Sequence, residues 1–302
     1  MENTVNINKA YKVAGHLFEV EMSENSNIWE RMSDSYGPFE VEGSQEYHLF
    51  DLTVCDIVEV KGAELIYTNR DNVESGFVAM NVYKGTEGYN FEFIQPESDI
   101  INASLFISND YQQAYLAVAG TQIQQWYAFN TGVNFCYLLA TACHDTVLAH
   151  ASCVRYMNKA WLFLGKSGTG KSTHSRMWLN ALENVVLMND DHPIVRINNN
   201  GEAIAYGSPW SGKTRCYKNI EAPIGGIIRI SRAPHNKARR LSAIESYASL
   251  MTSFSGMTWE KDLADGRDKT IQSIIATVPC WVMECVPDED AARVCAQTVT
   301  NL

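Results

Sequence analysis

The chain has 302 residues, with 24 Lys and Arg against 35 Asp and Glu for a net charge of −11. That balance disfavours a broad nucleic-acid surface and favours a protein with one localised site, and the length suits one large or two modest domains. No apolar run is long enough to span a bilayer, residues 1–12 lack an apolar signal core, and the eight cysteines form no C-x-x-C pair, so the reading is a cytoplasmic chain with reduced thiols and with neither membrane nor nucleic acid as partner.

Residues 11–120 break into short apolar or alternating stretches, at 16–22, 47–60, 76–83 and 89–94, separated by Gly, Asn, Asp and Ser. This pattern predicts a β-rich amino-terminal domain over 1–121. Trp126, Phe129, Val133, Cys136, Tyr137, Leu139 and Ala140 then recur near helical spacing. They predict a helix over 122–143 that opens a second domain, 122–302. Strand, turn and strand are expected across 146–164, with the turn at Met157-Asn158-Lys159-Ala160.

Gly165-Lys166-Ser167-Gly168-Thr169-Gly170-Lys171-Ser172 follows as a complete G-x-x-x-x-G-K-[ST] loop. Its glycines allow a tight turn that aims backbone N–H groups at phosphate, Lys171 neutralises phosphate charge, and Ser172 offers a hydroxyl to Mg²⁺. Thr173 continues the nucleotide-binding segment, and Met177, Trp178, Leu179 and Leu182 give the next helix an apolar side. A strand at 185–188 ends in Asn189-Asp190-Asp191, and Ile194 to Ile197, an Asn-Gly turn and Ala203 to Tyr206 read as a hairpin. A doubly wound sheet would place another helix there, so the fold class expected is α/β (α+β) with a mixed sheet. A strand near 224–230, helices over 242–254 and 259–276, a strand at 280–286 and a closing helix at 288–299 complete the pattern.

A phosphate loop needs an acidic partner, because Mg²⁺ prefers hard oxygen ligands and the acceptor must be oriented or deprotonated. Asp190 and Asp191 close a strand separated from the loop by a single helix and turn, which makes them the candidate pair. His150 lies in the strand next in sequence to the one feeding the loop, so strand pairing would bring it near the nucleotide; His192 and His174 are weaker candidates. Gly207-Ser208-Pro209-Trp210-Ser211-Gly212-Lys213-Thr214-Arg215 is a glycine-bounded loop whose two cations, Lys213 and Arg215, are candidate contacts to substrate or phosphate. Arg229, Arg232, Lys237, Arg239 and Arg240 read as a solvated basic face.

These residues resemble the carboxy-terminal catalytic domain of HPr kinase/phosphorylase, within the phosphoenolpyruvate carboxykinase-like superfamily. The resemblance covers about 122–302 and rests on His150, the loop from Gly165 to Ser172, Asp190-Asp191 and the loop from Gly207 to Lys213, in that order. It implies a mixed-sheet kinase fold in which Lys171 and the loop amides hold ATP phosphates, Ser172 and Asp191 serve Mg²⁺, Asp190 is the acceptor base and His150 assists at the transferred group. The two aspartates could exchange these roles. The amino-terminal β module does not resemble that of the bifunctional HPr kinases, and the carboxy-terminal signature used with phosphorylase activity is not found, which argues against HPr itself as substrate.

The function expected is an ATP- and Mg²⁺-dependent kinase that phosphorylates a hydroxyl of a small molecule, peptide or protein. The alternative is a nucleotide-binding regulatory protein acting through a partner. A motor or GTPase is disfavoured by the hairpin after Asp190-Asp191 and by the lack of a guanine-reading motif. The sequence leaves oligomeric state open.

Overall fold

A computed structural model describes residues 5–42, 47–59, 62–70, 78–95 and 100–300. The chain is α/β, with two large mixed sheets, and divides into two compact units, Met1–Thr141 and Ala142–Leu302. No helix among the described residues is long and apolar enough to cross a membrane. All eight cysteines are free, and six of them are buried.

The first unit begins with the hairpin β1 (Asn6–Val13) and β2 (His16–Ser23), followed by α1 (Ile28–Ser35), β3 (Glu40–Val41) and β4 (Phe50–Val54). Strands β5 (Glu64–Thr68), β6 (Ala79–Lys84), β7 (Gly88–Ile94), β8 (Ile101–Ser108) and β9 (Gln113–Val118) lead to α2 (Gln122–Thr141). The spatial order is β3-β1-β2-β4-β9-β8-β7-β6-β5. Neighbours β2, β4 and β9 run parallel. Residues 76 and 77 of the strand expected at 76–83, and Val60 of the stretch expected at 47–60, lie outside the described residues. Helix α1 was not anticipated from the sequence.

Helix α2 corrects the expected domain boundary. It was expected to open the second unit, yet it belongs to the first. Phe135 meets Phe91 and Phe93 at ring distances of 6.0 and 5.0 Å, and the Tyr137 hydroxyl donates to the Val13 carbonyl at 3.0 Å. With no charged residue in its 20 positions, the helix gains most by covering the aromatic face of the β-sheet, where each buried large side chain contributes about 1.5–3 kcal/mol. Periodicity shows that a helix has something to bury, not which sheet receives it.

The second unit opens with β10 (Thr146–Leu148), β11 (Ala151–Tyr156) and β12 (Lys159–Leu164), then α3 (Lys171–Ala181), β13 (Val186–Asp191), β14 (Ile194–Ile197) and β15 (Ala203–Tyr206). It continues through β16 (Glu221–Arg232), β17 (Lys237–Arg240), α4 (Ala243–Met251), α5 (Lys261–Thr277), β18 (Cys280–Cys285) and α6 (Glu289–Thr300). Its sheet has the order β10-β14-β15-β16-β12-β11-β13, with β18 also on β16 and β17 on β18. Strand β12 is parallel to β16 and β16 to β18, whereas β11 is antiparallel to both β12 and β13.

Strand β12 shows why the phosphate loop has a firm base. Leu162 and Leu164 enter one core with Ile227, Leu250 and Ile271, while Trp161 and Phe163 enter the other with Trp178, Ile228 and Met283. A strand buried on both faces reads as a continuous apolar run, as Trp161 to Leu164 does. The β11–β12 turn is tighter than expected: Met157 and Asn158 alone span it, at φ 51° and 57°, the double positive φ that matches a two-residue hairpin to strand twist. In α3, Met177 and Trp178 are buried but Leu179 faces outward.

Candidate active site

The phosphate loop runs from the end of β12 to the first turn of α3. Gly170, at φ 116°, caps α3 in a left-handed conformation that a side chain would strain. Thr169 closes the loop on itself, its N–H and hydroxyl both donating to the Lys166 carbonyl, at 3.1 and 2.7 Å. The amino end of α3 carries N–H groups without helical partners and the positive end of the helix dipole, the two features that attract phosphate. Lys166, Ser167, Gly168, Ser172 and Thr173 are exposed there, while Gly165 is buried beneath.

Lys171 is only 8 % exposed. Its Nζ donates to the Gly165 carbonyl at 3.0 Å and lies 3.1 Å from His150 Nε2. Burial draws the ammonium pKa down; Asp191 and Asp190 oppose this, and Arg229 reinforces it. His150 does not sit inside a strand as expected. The strand predicted over 146–156 is broken at Ala149 and His150, whose N–H groups donate to Pro193 and Ser253 carbonyls. The break turns His150 toward the loop. Burial, then the Lys171 charge, holds its imidazole below the usual histidine range.

The two aspartates come from β13, whose register against β11 sets Asp191 opposite Ala151 and Asp190 opposite Ser152. Asp191 Oδ1 is 3.6 Å from His150 Nε2, and Asp191 Oδ2 is 3.3 Å from His192 Nδ1. Burial alone would raise the Asp191 pKa, but the bond to His192 and the charges of His192, His150 and Lys171 outweigh it and hold the carboxyl below its usual range. Asp190 is 5 % exposed, and its Oδ1 has no hydrogen-bond partner. A buried carboxylate oxygen left open is costly unless something else engages it.

Sequence reasoning gave Asn189 no role. Its buried amide donates to Ser208 Oγ at 3.1 Å and to the Trp210 carbonyl at 3.0 Å, and its Oδ1 accepts from the Asp191 and His192 N–H groups at 3.0 and 2.9 Å. It ties the loop after β15 to the strand end that presents the aspartates. Ser211 bridges to Asp191, and the Gly212 N–H donates to the Asp190 carbonyl at 3.1 Å. Lys213 and Arg215 are exposed, so the tie between this loop and the carboxylates runs through Asn189, Ser211 and Gly212 instead. An Asn at the end of an apolar strand, directly before two carboxylates, was the available signal.

The basic face expected over 229–240 is divided. Arg239 pairs on the surface with Glu245 at 2.9 Å, but Arg232 donates to the Gly168 carbonyl of the phosphate loop and Arg229 turns inward. His174 is a core residue: its Nε2 accepts from Trp178 Nε1 at 3.2 Å, and burial lowers its pKa to about 4. No protein-family model and no curated protein sequence matches the chain.

Proposed function

We propose that the second unit is an ATP- and Mg²⁺-dependent phosphotransferase of the HPr kinase-like, phosphoenolpyruvate carboxykinase-like fold, moving the γ-phosphoryl group to a hydroxyl. The observation that carries the reading is the buried Asp190 carboxylate with an unpaired Oδ1, one residue from an aspartate that reaches His150, which in turn meets the phosphate-loop lysine.

Each side chain has work suited to its surroundings. Lys171 and the N–H groups of the loop hold the phosphates and neutralise charge on the departing diphosphate. Asp190 takes the acceptor proton as the new bond forms, the moment at which a base is needed. His150, kept neutral at Nε2, receives the Lys171 hydrogen bond and orients that ammonium. Ser172 and Asp191 would supply hard oxygens to Mg²⁺. No group of three or more His, Cys, Asp or Glu among the described residues is placed to hold a metal, so an ion here would need phosphate and water oxygens as well. Bound there, Mg²⁺ would neutralise charge on the phosphate oxygens.

The test is transfer of γ-labelled phosphate from ATP into a fractionated extract of the host, with Lys171→Ala and Asp190→Asn beside the unmodified protein. Label should enter a phosphate ester only with the unmodified protein. Transfer left intact by both substitutions would place the chemistry elsewhere, and nucleotide binding with no transfer at all would favour a regulatory role.

A further inference from the structure

Arg229 sits on β16 in register with Leu164, the residue that ends β12 and precedes the phosphate loop. It is half-buried, and it has no carboxylate partner among the described residues. All its hydrogen bonds go to one place, the end of α4 and the turn after it. Nε donates to Ser249 Oγ at 2.6 Å, and Nη2 contacts the Ser249 carbonyl, Thr252 Oγ1 at 2.9 Å and Ser253 Oγ at 2.9 Å. A guanidinium is a rigid planar fork, so it fixes the positions of these acceptors relative to one another and to β16.

The same turn holds His150. The His150 N–H donates to the Ser253 carbonyl at 2.7 Å, Ala149 bridges to Phe254, and the Ser255 N–H donates to the Leu148 carbonyl at 2.8 Å. Residues 253–255 therefore act as a short strand beside 148–150. The neighbours of His150 are also tied elsewhere, the Ala149 N–H to Pro193, Leu148 to Ile194 and Ala151 to Leu164 and Asp191, but the His150 N–H itself goes to a segment that Arg229 anchors. A half-buried cation bonded only to neutral oxygens is an expensive way to hold a helix end, since an uncharged side chain could cap or pack there at lower desolvation cost. Its use here calls for a geometric task that a point contact would not perform.

We infer that Arg229 is a positioning residue for the transfer reaction: it fixes the turn at 249–253 and, through the Ser253 carbonyl, sets His150 against Lys171. This inference rests on the kinase reading for its catalytic consequence, but its structural half stands apart from that reading.

The test uses the full chain with Arg229→Met, Arg229→Lys and, as a milder change outside β16, Ser253→Ala. Amide hydrogen exchange is followed at His150 and Ser255, with Val195 of β14 and Ile228 of β16 as references. Loss of charge-assisted bonds predicts at least about tenfold faster exchange at His150 and Ser255 in Arg229→Met with the reference amides unchanged, and a smaller effect in the same direction in Ser253→Ala. In the transfer assay, Arg229→Met should lower kcat about tenfold while leaving the KM for Mg-ATP within about twofold, and Arg229→Lys, with one donor in place of a fork, should restore only part of the rate.

Unchanged protection at His150 in a folded Arg229→Met protein would overturn the inference, as would equal loss at the reference amides, or full recovery of kcat by Lys. Should Arg229→Met fail to fold, the Ser253→Ala exchange pattern decides alone: selective loss at His150 and Ser255 upholds the inference, and none refutes it. Absence of ATP binding and transfer in the unmodified protein would instead remove the kinase reading, with the exchange result still deciding whether Arg229 places His150.

Discussion

Lys171 Nζ lies 3.1 Å from His150 Nε2 and 3.0 Å from the Gly165 carbonyl, so one ammonium joins the floor of the phosphate loop to a histidine brought in by the break between β10 and β11. Both groups are partly desolvated, which lowers the tendency of each to carry charge, and the Lys171 charge lowers that of His150 further. Phosphate bound at the loop would favour both charged forms.

Lys171→Met therefore removes a charge-assisted contact from a partly buried site. Mg-ATP affinity should fall by roughly one to two orders of magnitude, the equivalent of about 1.5–3 kcal/mol. Calorimetric titration checks this, and affinity within a factor of two of the unmodified protein would show that phosphate does not bind there.

Asn189→Ala should be one of the more damaging polar truncations in the second unit. It strands the Asp191 and His192 N–H groups and frees the Ser208–Trp210 segment, so a loss of about 2–4 kcal/mol is expected from several broken buried bonds. Urea denaturation of Asn189→Ala beside Asn198→Ala, whose Oδ1 also accepts two backbone N–H groups but in a solvent-facing turn, gives the comparison. Equal losses would contradict the structural role assigned to Asn189.

Gly212→Ala tests the close approach of loop and carboxylate. A Cβ at 212 would stand 2.9 Å from the Asp190 carbonyl oxygen and 3.3 Å from Asp191 Cβ, and neither backbone oxygen nor strand end can yield cheaply. The expected result is a stability loss of about 1–3 kcal/mol with a disproportionate loss of transfer rate, because the strain falls on the aspartates. Retained transfer in Gly212→Ala would show that the loop is not part of the site.

Acid sensitivity has a sign that His174 fixes. Its pKa in the folded chain is about 4 against an ordinary value of 6.5, so between these pH values the unfolded chain binds a proton that the folded chain refuses. Stability is fully present above pH 6.5 and is lost as pH falls toward about 4, by up to about 3 kcal/mol. The stability of His174→Gln should show a flatter dependence over that interval in urea titrations. An unchanged slope would mean that other groups set it.

Much of this site was legible because its parts are contiguous. The phosphate loop, Asp190-Asp191 and the glycine-bounded loop are short motifs, and apolar runs on either side located their strands. The mixed sheet followed from the hairpin of β14 and β15. What escaped reading depends on distant partners. The break at His150 arises from the Pro193 and Ser253 carbonyls, the inward turn of Arg229 from its register beside Leu164, and the allegiance of α2 from Phe91 and Phe93. In each case the local pattern carried no information about the distant partner, so the strand was read through the break at His150 and Arg229 was read as solvated, while α2 was recognised as a helix but assigned to the wrong unit.

The most direct test of the phosphotransfer account is phosphorus NMR of the protein with Mg-ATP and an extract of its host, run beside Asp190→Asn. The account predicts a new phosphomonoester resonance growing as the γ-phosphate signal declines, present with the unmodified protein and absent with Asp190→Asn. ATP left unchanged, or converted only to ADP and inorganic phosphate, would contradict it.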